Sequence, residues 1–137
     1  MSIFVKSDTN RVAFLLDHWC QKGFLVVAFE DHFKEFRKTL DKDTLKKLYQ
    51  ILTLIMKVEV IPGKFLKAIK GRKGLFEIRL EYEGNIYRVF CCFDEGNLVI
   101  LFNGFQKKTQ KTPIEQLDKA EALMKKYYEQ KRGKNNG

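Results

Sequence analysis

Arg79 and Arg88 stand on two adjacent strand-like segments, Leu75 to Glu83 and Ile86 to Phe93, and both have the fork-shaped head group that suits phosphate oxygens. A hairpin turning at Gly84-Asn85 sets Glu83 opposite Ile86, Glu81 opposite Arg88 and Arg79 opposite Phe90. The two arginines are then diagonal neighbours on one sheet face, about 7–8 Å apart between backbones, close enough to grip one phosphate. A two-residue turn at Glu95-Gly96 carries the same parity onward and adds Val99, Leu101, Asn103, Phe105 and Lys107 to that face. The plainer reading of the same pattern is a solvent-facing pair of arginines matched by Glu77 and Glu81. Convergence favours anion binding, because a loop carrying Lys64, Lys67, Lys70, Arg72 and Lys73 enters the hairpin and Lys107, Lys108 and Lys111 leave the last strand.

Other chemistry is thinly represented. Cys20, Cys91 and Cys92 include a vicinal pair in a strand-like run and have no spacing suited to zinc, so they are expected to be reduced, half-buried strand residues. His18 and His32 both precede the charged sheet face. No metal and no cofactor is expected.

The elements that must carry these residues follow from periodicity. Phe24 to Phe29 is a continuous apolar run with β-branched members, as in a strand buried on both faces. Asp31 is a candidate N-cap for a helix with Phe33, Phe36 and Leu40 on one side. Beyond Asp41-Lys42-Asp43, the residues Leu45, Leu48, Ile51, Leu52 and Ile55 line a longer amphipathic helix. Residues 59–73 read as a loop punctuated by Pro62, Gly63 and Gly71. The three strand-like segments Leu75 to Glu83, Ile86 to Phe93 and Leu98 to Phe105 form an antiparallel meander. Its apolar side holds Phe76, Ile78, Leu80 and Tyr82 with Tyr87, Val89, Cys91 and Phe93. Thr112-Pro113-Ile114-Glu115 is a capping-box signal for a terminal helix bearing Leu117, Ala120, Met124 and Tyr127. The expected fold class is α+β: a strand, two helices, a three-strand meander and a C-terminal helix, with the helices on one face of a small antiparallel-rich sheet.

A chain of 137 residues with 45% hydrophobic content builds one core and has no room for a second full domain. Residues 1–22 read as an N-terminal extension in which Arg11 to Cys20 fits a short amphipathic helix, 23–130 as the domain, and 131–137 as a disordered basic tail. A net charge of +9 points to a polyanion, an acidic protein partner, or both. No apolar run approaches the ~18 residues that span a bilayer, so no membrane contact and a cytoplasmic location are expected.

Four segments in order resemble a known family: Leu66-Lys67-Ala68-Ile69-Lys70-Gly71, Gly74-Leu75-Phe76-Glu77-Ile78-Arg79, Tyr87-Arg88-Val89, and Gly104 to Pro113 (GFQKKTQKTP). Together they are similar to the HigB-like, phage-derived branch of the RelE/ParE toxin superfamily, over about residues 24 to 130. The resemblance implies a compact RelE-like fold of the microbial-ribonuclease type, metal-independent cleavage of messenger RNA in the ribosomal A site, and neutralisation by an antitoxin that often carries a helix-turn-helix domain. At the matching positions, Arg79 and Arg88 would stabilise the pentavalent phosphate. Lys107, crowded by other cations, would serve as acid or base. Lys67, Lys70, Arg72, Lys73 and Lys108 would hold the message backbone, and Phe105 would stack on a base. Two alternatives stay open: a ParE-like inhibitor of DNA gyrase acting without catalysis, and a catalytically silent module that binds RNA or the antitoxin.

Overall fold

A computed structural model describes residues 4–6, 25–58, 60–95 and 98–136. In chain order the elements are β1 (Phe4–Lys6), β2 (Leu25–Phe29), α1 (His32–Lys38), α2 (Lys42–Lys57), β3 (Leu66–Ala68), β4 (Phe76–Tyr82), β5 (Asn85–Asp94), β6 (Leu98–Lys107) and α3 (Ile114–Asn136). The helix expected from Arg11 to Cys20, with His18 and Cys20, lies outside the described residues, as does Phe24. The α+β class and the expected order of elements hold, in a small RelE-like arrangement.

All strands join one six-stranded sheet in the order β1-β2-β6-β5-β4-β3. After β2 the chain covers one face with α1 and α2, crosses to the far edge at β3, and returns by the β4-β5-β6 meander until β6 lies parallel to β2. Two short strands escaped the sequence reading. β1 pairs in parallel with β2, and β3 pairs with β4 inside what read as loop 59–73. Three-residue strands have no room for a period, so pairing and not pattern defines them.

β2 is buried on both sides as its composition requires, Val26 and Ala28 joining one core cluster, Val27 and Phe29 the other. The first cluster unites Phe33 and Phe36 of α1 and Leu48, Leu52 and Ile55 of α2 with Ile78, Leu80, Tyr87, Val89 and Cys91. This is the apolar side expected for the meander. The expectation that every helix shares it is corrected by α3, which packs Ala120, Leu123 and Tyr127 on the opposite face, over Phe90, Cys92, Ile100 and Phe102. That face has its own apolar strip, and α3 must cover it. The helix also continues through 131–136, where a disordered tail was expected, and Lys131 Nζ reaches both Asp94 carboxylate oxygens at 2.8 and 2.9 Å. Its first turn opens on the Pro113 carbonyl, which accepts from Leu117 N at 3.3 Å, one residue later than a Thr112 cap. Among the described residues no helix is long and apolar enough to cross a membrane.

Candidate phosphate-binding site on the sheet

The β4–β5 turn falls at Glu83-Gly84, with φ of 49° and 79°, and Tyr82 pairs with Asn85. Two successive positive-φ residues suit a tight hairpin whose twist matches the strands, and glycine takes the second position without a Cβ penalty. The register is therefore two residues away from that of a Gly84-Asn85 turn. An even slip preserves the face but changes the partners: Arg79 lies directly opposite Arg88, Glu81 opposite Ile86 and Glu77 opposite Phe90.

Two further departures cancel along β6. Asp94 pairs with Leu98, which leaves three residues in the connection and inverts the expected parity, so Val99 and Leu101 lie under α1 and α2. Between Val89↔Gly104 and Cys91↔Leu101, β6 then contains Phe102 and Asn103 against the single Phe90 of β5, a bulge that restores the parity. Phe105 and Lys107 thus return to the arginine face, where Phe105 lies opposite Arg88 and Lys107 opposite Ile86.

Directly opposed residues share a face, so this end of the surface is a grid of three rows, in which Phe90 and Arg88 are buried. Lys67, Glu77 and Phe90 form the first, Arg79, Arg88 and Phe105 the second, and Glu81, Ile86 and Lys107 the third. Like charges face to face repel, and Glu77 offsets this by lying 2.6 Å from Arg88 Nε and 3.8 Å from Arg79 Nε through its Oε2.

The two arginines differ in access. The Arg79 side chain is 32% exposed and that of Arg88 only 3%. Arg88 donates from Nη1 to the Tyr87 carbonyl at 3.0 Å, while its Nε has a close charge contact with Glu77 but no aligned acceptor. Burial lowers the pKa of the Arg88 guanidinium, Arg79 adds to that effect, and Glu77 opposes both. An arginine so placed remains a cation.

The other expected contacts are dispersed around this grid. Lys67 is exposed on β3, directly across from Glu77. Gly71 and Gly74, with φ of 84° and 86°, shape the β3–β4 loop so that Lys70 and Lys73 are exposed. Arg72 instead turns towards α3, with Nη1 2.8 Å from Asp118 and 3.7 Å from Glu121. Lys108 is exposed just past β6. Phe105 is half-buried and stacks on Phe90 with ring centroids 5.7 Å apart, so one side of its ring is already occupied. His32 lies 3.1 Å from Glu30 and belongs to none of the three rows. Cys91 and Cys92 are free thiols buried on opposite faces, and burial raises the pKa of both, that of Cys92 to about 11.

Sequence reasoning treated Glu77 only as a counter-ion. Its place two residues before Arg79, hence on the same face, was the available signal; its contact with Arg88 depended on the true turn.

A mixed sheet with helices on both faces, a central strand parallel to the first long strand, and an arginine-rich patch at one end defines a small RelE-like α+β protein. Residues 34–125 match the family described as phage derived protein Gp49-like (DUF891), and the chain belongs to that toxin–antitoxin-associated, RelE-like family. No curated protein matches the chain.

Proposed function

We propose that this protein is the toxin of a toxin–antitoxin pair and acts as a ribosome-dependent endoribonuclease that cuts messenger RNA in the A site. The observation that carries the reading is a part-exposed Arg79, set directly opposite the buried Arg88 on a sheet surface flanked by Lys67 and Lys107. Glu77 already offsets the repulsion between the two guanidiniums, and Arg79 keeps enough exposure to take a phosphate lying over this surface. Arg79, the accessible one, is the group that would meet the phosphate as negative charge accumulates in the transition state. Lys70, Lys73, Lys107 and Lys108 would hold the flanking backbone and Phe105 the edge of a base, whereas Arg72 is engaged in joining its loop to α3.

Such a site positions and neutralises but does little to orient a free, flexible strand. The ribosome, by holding the message, would supply that orientation. The partner that silences the protein would be an antitoxin encoded beside it, presenting acidic groups to the basic surface. The test is genetic: expression alone should arrest growth within a generation or two, and coexpression of the neighbouring gene should restore it. Normal growth with abundant folded protein would refute the toxin reading.

A further inference from the structure

Cleavage without a metal requires a group that removes the proton from the attacking 2′-hydroxyl, and arginine cannot do so at neutral pH. We infer that Glu77 is this general base, that Lys67 is the acid for the leaving oxygen, and that buried Arg88 is a positioning residue which holds Glu77; the inference rests on the ribonuclease reading above.

Three observations support the assignment. Glu77 is in contact with both arginines, which hold its carboxylate at the junction of the first two rows. Arg88, with its side chain 3% exposed, is too enclosed to grip a phosphate but well placed to fix a carboxylate. Glu77 keeps an 18% exposed side chain beside the more open Arg79, so a phosphate resting on Arg79 would bring its neighbouring ribose to Glu77.

Lys107 is less suited to this step. It lies two rows from Glu77, which is four residues or roughly 13 Å along the strands, too far to share one phosphate with it. Lys67 is in the same row as Glu77 and directly across from it.

In the proposed step the 2′-hydroxyl proton passes to the Glu77 carboxylate as the 2′-oxygen bonds to phosphorus. The bond from phosphorus to the 5′-oxygen breaks, and that oxygen takes a proton from the Lys67 ammonium. The products are a 2′,3′-cyclic phosphate and a 5′-hydroxyl. Glu77 then releases its proton to water and Lys67 regains one, so no net proton is consumed.

The test measures cleavage of a defined message on translating ribosomes between pH 6 and 8.5, for wild type and Glu77→Gln. With Glu77 in place of hydroxide as the base, the wild-type rate should stay nearly flat across this range. Glu77→Gln should be slower by about 100-fold or more at pH 7 and should gain about tenfold per pH unit as hydroxide takes over the base's role. RNA binding by the variant should be equal or tighter, since a negative charge is removed. A variant within a few-fold of wild type, or one that is slow but retains the flat profile, would overturn the assignment and leave Glu77 a structural role. Should Glu77→Gln fail to fold, Arg88→Gln and the double variant Glu77→Gln/Arg88→Gln remove the stranded buried charge. Only the double variant should show the steep pH dependence, and matching profiles would refute the proposal. Wild-type protein that cuts nothing on ribosomes would refute the ribonuclease reading itself, whereas wild-type cutting with an unaffected Glu77 variant would refute the base assignment alone.

Discussion

Arg88 and Glu77 depend on each other in a way that Arg79 does not, because the Arg88 guanidinium has left water and that of Arg79 remains a third exposed. Glu77→Ala would strand a buried cation, and a loss of about 3–5 kcal/mol in unfolding free energy is expected from urea denaturation. Arg79→Ala should change the same quantity by no more than about 1 kcal/mol. Equal losses for the two would mean that the burial difference between the arginines has no energetic consequence. That Arg79 and Arg88 share a face could be read from the alternation, whereas Phe105 and Lys107 fall on it only because the three-residue connection and the bulge cancel. The pairing within it could not, because Glu83-Gly84 and Gly84-Asn85 are both credible turns and only the backbone geometry of Glu83 and Gly84 separates them. Arg72 was misleading for a similar reason: nothing local to a basic loop announces that Asp118, on the last helix, will take its side chain.

The elements that hold the site are joined by two close approaches. Gly104 is the first: a Cβ built there would lie 2.6 Å from the Phe36 ring, so β6 and α1 can meet only if this position is glycine. Gly104→Ala should destabilise the fold by about 1–3 kcal/mol, and Phe36→Ala should relieve part of that loss in a double-mutant cycle. Strict additivity would refute the contact. The second is the anchorage of α3 to the end of β5, where Asp94 accepts from Tyr127 Oη at 2.6 Å and from Lys131 Nζ. Burial disfavours the Asp94 carboxylate, but the donors on Lys131, Tyr127 and the Glu95 backbone outweigh it and hold its pKa below the ordinary aspartate value. A depressed carboxyl pKa contributes stability that is present above the unfolded value of about 3.9 and is lost as pH falls through the folded value. The melting temperature of wild type should accordingly fall more steeply below pH 4 than that of Asp94→Asn. Parallel curves would show that Asp94 does not couple the helix to the sheet. Helical spacing made all three helices legible. The side on which α3 packs was not, because it depends on the odd connection after Asp94 and on the bulge at Phe102-Asn103, each of which inverts the parity of β6.

Across the whole molecule the charge is asymmetric in use and not only in sum. Lys67 and Lys107 flank a sheet surface where one carboxylate lies between two arginines, and α3 covers the remainder of that face with apolar contacts. Helices packed on both faces brace β4, β5 and β6, so that residues from three strands meet in fixed rows. Composition alone indicated an anionic partner; register and burial are what separate the part-exposed Arg79 from the buried Arg88 opposite it. The most direct measurement is primer extension on a defined message incubated with purified protein, with and without translating ribosomes, for wild type and Arg79→Ala. The expected result is a set of cuts at A-site codons that require ribosomes and disappear in Arg79→Ala. Wild-type protein that leaves the message intact on ribosomes, or an Arg79→Ala variant that cuts it as well as wild type, would contradict the central claim.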